Sequence, residues 1–159
     1  LRYVVNVYLY ADTVDQDGRI HFDAPMVSHG QWVLTPNTVG LPDIGEGNGA
    51  IGGRVRDCRT DTRDSWPISG VTMGLETPGK KIVFFNNLED DTVPLVDRVS
   101  TNILGRFAAL DIPAGWNLLS GYAKVGDENV SLGALPVYVF PNALTIVTWP
   151  GLQPHWAQK

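Results

Sequence analysis

The most regular signal along the chain is a period of two. In residues 71–76, Val71, Met73 and Leu75 are apolar, with Thr72, Gly74 and Glu76 between them. That alternation predicts a strand with one buried and one wet face. In the preceding segment Ile51 and Val55 flank Gly53 on one face, and Arg54 and Arg56 fall on the other. Residues 81–85, 106–112 and 116–125 read as further strands, with turn signals at Pro78-Gly79 and Pro113-Ala114-Gly115. Residues 135–140 and 144–149 add two more, split by Pro141-Asn142. No run has convincing helical periodicity. The pattern predicts an all-β, antiparallel Greek-key sandwich of about seven core strands. Its expected inward positions include Ile51, Val55, Val71, Met73, Leu75, Phe84, Phe107, Leu118 and Tyr122.

The N-terminal part is less regular. Residues 3–10 are nearly all β-branched or aromatic and read as a strand. Asp15-Gln16-Asp17-Gly18 is a turn, because Asp-Gly tolerates the positive φ of tight turns. Residues 19–22 and 31–34 are short strand candidates. Residues 35–49 contain Pro36, Gly40, Pro42, Gly45, Gly47 and Gly49, a density of breakers that predicts a linker. The expected organisation is an N-terminal extension over 1–49, a sandwich over 50–149 and a tail over 150–159.

Composition narrows the class. Seventeen Gly and 11 Pro in 159 residues exceed an average usage of about 12%, which says turn-rich. A hydrophobic fraction of 43% with 18% charged residues excludes a disordered chain. No stretch of 18 apolar residues exists to form a membrane-spanning helix. The net charge of −5, with no basic block, argues against nucleic acid. Charge is also uneven. Residues 1–49 are acidic, the middle is balanced, and residues 131–158 carry no Asp, Glu, Lys or Arg at all. A strand on the surface of an isolated sandwich normally keeps charges on its wet face. The neutral segment therefore predicts cover on both faces, either from residues 3–10 or from a partner that the N-terminal strand reaches by β-augmentation. The second arrangement implies self-association or a protein partner. The chain begins Leu1-Arg2-Tyr3 without an initiator Met, which predicts processing or a longer product. Cys58 is the single cysteine, so it pairs, if at all, with another chain; the ordinary expectation is a small buried hydrophobe.

One stretch carries a resemblance. Thr101, Gly105, Phe107, Ile112, Pro113 and Gly115 have the spacing of the carboxypeptidase regulatory-like family, whose fold is transthyretin-like (prealbumin-like). The same family's first-strand pattern is similar to Gly53-Arg54-Val55-Arg56-Asp57, and its next pattern to Pro67-Ile68-Ser69-Gly70-Val71. The aromatic usually found two residues after the last Gly is Asn117 here, with Trp116 beside it. The resemblance covers about residues 50–125, possibly on to 149. It implies a non-catalytic structural or interaction module, commonly extracellular, periplasmic or at the cell surface. A collagen-adhesin B-type or starch-binding module would meet the same physical demands.

Candidate chemistry is sparse. His21, His29 and His155 have no helical i, i+4 spacing and no Cys ligand beside them. An intradiol-dioxygenase iron site would need two Tyr and two His; Tyr122 and Tyr138 exist, but no His lies between residues 30 and 154. Asp12, Asp15 and Asp17 before Gly18 are a weak calcium candidate, because the bidentate carboxylate of an EF-hand falls on Ala24. There is no Gly-x-Ser-x-Gly elbow, and the Gly-rich residues 45–53 lack the Gly-Lys-Ser/Thr of a phosphate loop. The expectation is no catalysis, no cofactor and no metal. The five Trp are many for this size. Tyr3, Tyr8, Tyr10, Trp32, Tyr138, Trp149 and Trp156 are the candidate binding residues. A partner protein is the first expectation and a carbohydrate stacked on exposed Trp the alternative. Two or three coplanar exposed rings would favour the sugar; buried rings or a partner contact would favour assembly.

Overall fold

The structure is a computed structural model and describes residues 5–6, 16–19, 27–57, 66–77, 81–87 and 93–150. In chain order its elements are β1 (Val5–Asn6), α1 (His29–Thr38), β2 (Asn48–Arg56), β3 (Val71–Leu75), β4 (Lys81–Phe85), β5 (Pro94–Leu95), β6 (Arg106–Pro113), β7 (Gly115–Val125), β8 (Glu128–Val139) and β9 (Leu144–Pro150). Six strands make one sheet in the order β1-β9-β2-β6-β4-β5, and three make a second in the order β3-β7-β8. The two sheets sandwich a core of Ile51, Val55, Val71, Met73, Phe84, Phe107, Leu119, Val137 and Val147, among others. The described part is an all-β sandwich with one helix laid on its outside.

The turn residues act as their chemistry requires. Gly105 has φ +67°, and a Cβ there would collide with the Val55 carbonyl. Its own carbonyl accepts from Val55 N at 2.8 Å. Beside it Thr101 and Asn102 are buried polar residues whose side chains are hydrogen-bonded. Thr101 Oγ1 donates to Ile68 O and accepts from Val71 N. Asn102 Oδ1 accepts from the Leu104 and Arg106 amides, and its Nδ2 donates to Asn86 O. These bonds fasten the entry to β6 to both sheets, which is how buried polar groups are kept from costing stability.

Most strand pairs are antiparallel, but β9 runs parallel to both of its neighbours. It lies between β1 and β2, so both of its edges are hydrogen-bonded within the sheet. Thr145 and Val147 are buried, and Leu144 and Ile146 on the opposite face are half-buried. This accounts for the absence of charge at residues 144–147. Val5 and Asn6 pair with Leu144 and Thr145 of the same chain. At these two residues the N-terminal segment pairs edge to edge within its own chain.

The N-terminal expectations need correction. Residues 31–34 are not a strand, and residues 35–38 are not linker; both lie in α1. Ser28 caps the helix: its side chain accepts from Gln31 N, and the Gln31 side chain accepts from Ser28 N. Helical turns end at Pro36 and Asn37, whose carbonyls accept from the amides of residues 39–41, and Gly40 takes φ +80°. Lys81 Nζ then donates to Val39 O at 2.7 Å, placing a cation at the carbonyl end of the helix. Val39 and Ile44 pack with Ala50, Val83, Ala108 and Leu110 on the outer face of the large sheet, with Trp32 and Phe85 against them. The Gly-rich residues 45–53 are no loose connection either, since β2 begins at Asn48. Asp111 pins this turn, accepting from Gly45 N and Asn48 Nδ2.

A second correction concerns β7. Leu118 and Tyr122, expected in the core, are exposed, whereas Leu119 is fully buried. The inward residues of β7 are Asn117, Leu119 and Gly121. Asn117 sits inside because its polar atoms are satisfied: Thr77 Oγ1 donates to Oδ1 at 2.6 Å, and Nδ2 donates to the Pro113 and Gly115 carbonyls.

Candidate binding face

The register of β7 turns an apolar row outward. Across the three-stranded sheet, Trp116 pairs with Tyr138, Leu118 with Pro136, Ser120 with Ala134 and Tyr122 with Ser131. Gly74 and Thr72 of β3 lie next to Ser120 and Tyr122 on the other side. The register shifts between Gly121 and Tyr122. Leu132 is the extra residue there, and it packs into the core, leaving Ser131 on the outer face.

Trp116 is 70% exposed and Leu118 40%. Their neighbours Tyr138 and Phe140 complete an aromatic cluster. Trp116 and Tyr138 have ring centroids 5.3 Å apart with planes at 83°, and Tyr138 and Phe140 are 4.8 Å apart at 61°. Both contacts are edge-to-face, the arrangement ring quadrupoles favour. Of the charged residues, Lys124 follows Tyr122 along β7, and the exposed Glu76, whose amide donates to Leu118 O, lies beside Leu118. On the far side of β3, Thr72 Oγ1 donates to Val99 O, which brings the exposed Val99 against that edge. The exposed face of an antiparallel sheet is ordinarily polar, so a row of Trp, Leu, Tyr and Pro makes this face the candidate contact surface.

Of the residues singled out from the sequence, only Tyr138 belongs to this face. Trp32 is half-buried on α1 and faces the outer side of the large sheet. Tyr3, Tyr8, Tyr10, Asp12, Asp15, His21, Cys58, Trp156 and His155 lie outside the described residues, as does the Trp149 side chain. Asp17 is exposed in the turn over residues 16–18, and His29 is exposed at the start of α1. Among the described residues, no three His, Cys, Asp or Glu side chains gather where they could hold a metal ion. Sequence reasoning did not place Trp116 and Phe140 on this face and assigned Leu118 and Tyr122 to the core. The available signal was Trp116 itself, an aromatic next to the inward Asn117.

No family model matches the chain, and no curated protein shows significant similarity to it. Among solved structures, it is similar to a candidate carbohydrate-binding protein from Pseudomonas aeruginosa. That likeness has 17% identity over 65% of this chain and 90% of the other, with a TM-score of 0.36. A leucine-rich repeat protein from Bacteroides thetaiotaomicron is similar at 15% identity over 67% of this chain and 14% of the other, with a TM-score of 0.27.

Proposed function

We propose that this chain is a non-catalytic interaction module that assembles through the outer face of its three-stranded sheet, the first partner being a second copy of itself. The observation that carries the reading is the uncharged row of exposed Trp116, Leu118, Tyr122 and Pro136 with half-buried Tyr138 on one face of the sheet. Two such faces related by a two-fold axis would bury each other, in the manner of sheet-on-sheet packing. Aromatic residues with few charges make up the cores of protein interfaces. The resemblance to the carboxypeptidase regulatory-like family supports the same reading, and with it a place outside the cytoplasm.

Carbohydrate binding is the second reading, favoured by the 70% exposure of Trp116. Sugar stacking wants ring faces laid open side by side. Here the rings stand at 83° and 61° to their neighbours, which supports a protein contact over a sugar platform. Hydroxyl-radical footprinting separates the two. Assembly predicts that oxidation of Trp116 and Tyr138 falls as protein concentration rises. Protection that depends on added oligosaccharide and not on protein concentration would favour the second reading.

A further inference from the structure

The opposite side of the molecule carries a different site. Between α1 and the outer face of the large sheet is a groove with a volume of about 540 Å³, within the roughly 300–1,000 Å³ typical of small-molecule sites. Its floor is low because two small residues, Gly52 and Ala108, are register partners across β2 and β6. Leu144 and Ile146 of β9 line one side, Phe85 of β4 the other, and Trp32 and Pro36 of α1 the helix side.

The next register pair on the same face of these two strands is Arg54 opposite Arg106. Arg56, two residues further, also lines the groove. Like charges directly opposite on a sheet are unfavourable, and here a third joins them. Each of the three has at least one interaction of its own within the fold, so the point is their convergence on one end of an apolar groove, not vacancy. Among the described residues that line the groove, none is Asp or Glu.

We propose that this groove binds a single-chain amphipathic carboxylate of the fatty-acid class, with its apolar chain over Gly52 and Ala108 and its head group at Arg54, Arg56 and Arg106. Guanidinium groups suit a carboxylate because their fork can donate two parallel hydrogen bonds to it. The apolar chain gains by leaving water along the floor and walls. This site is separate from the aromatic face, and neither proposal depends on the other.

The test is calorimetric titration of the full chain with decanoate, decanol and decylamine. Decanoate should saturate at one site per chain, about tenfold or more tighter than decanol, with decylamine weakest. An Arg54→Gln/Arg106→Gln variant should bring decanoate down to the affinity of decanol while decanol binding stays unchanged, which also reports that the groove is intact. Gly52→Val should abolish binding of both, because a Cβ at that position meets only the Leu144 side chain, at 3.2 Å, and the rest of the valine enters the groove. Trp116→Ser should leave decanoate binding unchanged. The proposal is overturned if decanoate binds no tighter than decanol, or if Gly52→Val binds decanoate like wild type. Should the double Arg variant fail to fold, the wild-type ranking of the three ligands and the Gly52→Val titration still decide.

Discussion

Trp116 and Tyr138 stand opposite each other across β7 and β8, with ring centroids 5.3 Å apart and planes at 83°. The contact steadies an indole that is otherwise open to solvent. A rigid aromatic pair loses little side-chain freedom on binding, so its apolar area is available to a partner at low entropic cost. The indole is exposed because β7 puts Asn117 inside, and Asn117 can lie inside because Thr77, Pro113 and Gly115 satisfy it.

That chain of causes is testable at Thr77. Thr77→Val removes the hydroxyl that donates to Asn117 Oδ1 and leaves a buried acceptor short of a partner. The expected loss is about 1–3 kcal/mol in chemical denaturation. Wild-type stability would mean that Asn117 is not held as described.

Adjacent leucines read the register of β7 directly. Leu119 is fully buried in the core and Leu118 is 40% exposed. Leu119→Ala should cost about 2–5 kcal/mol, and Leu118→Ala about 0.5 kcal/mol or less. The reverse order, measured by urea unfolding, would restore the alternation that the sequence suggests.

The core itself is anchored at Phe107, which is 1% exposed between the two sheets. Phe107→Ala should destabilise by about 3–5 kcal/mol. A variant that melts with wild type would place Phe107 outside the core.

For α1, the decisive group is the cap. Ser28→Ala removes the side-chain acceptor for Gln31 N and should cost about 1 kcal/mol. The loss should be local: faster amide exchange over residues 29–38, with the β-sheet amides unchanged. Equal exchange in variant and wild type would contradict the capped helix.

What the sequence revealed and concealed follows from the same residues. Gly105, Phe107, Pro113 and Gly115 were legible because each answers a backbone or packing demand that few residue types meet. Alternation located Ile51, Val55, Val71, Met73, Phe84 and Phe107, all buried in the core. It failed at β7, where Leu118 and Leu119 are consecutive and the inward position before them is Asn. The helix was hidden because Gly30, Val33, Thr35, Pro36 and Thr38 are poor helix formers. Its one local signal was Ser28 followed three residues later by Gln31, a capping box. The neutral C-terminal stretch falls in two parts that the sequence does not separate: β9 lies inside the large sheet between β1 and β2, while β8 leaves Pro136 and Tyr138 on the outer face of the small one. The arginine-ended groove could not be read at all without the register that sets Gly52 against Ala108 and Arg54 against Arg106.

The most direct test of the interaction face is sedimentation velocity of the full chain beside a Trp116→Ser/Leu118→Ser variant. Both substitutions lie at exposed positions, so circular dichroism and melting should match wild type to within about 1 kcal/mol. The account predicts a wild-type dimer that forms with a dissociation constant of about 10 μM or tighter, and a variant that remains monomeric throughout. A wild-type chain still monomeric at about 1 mM, or a variant that dimerises like wild type, would contradict it.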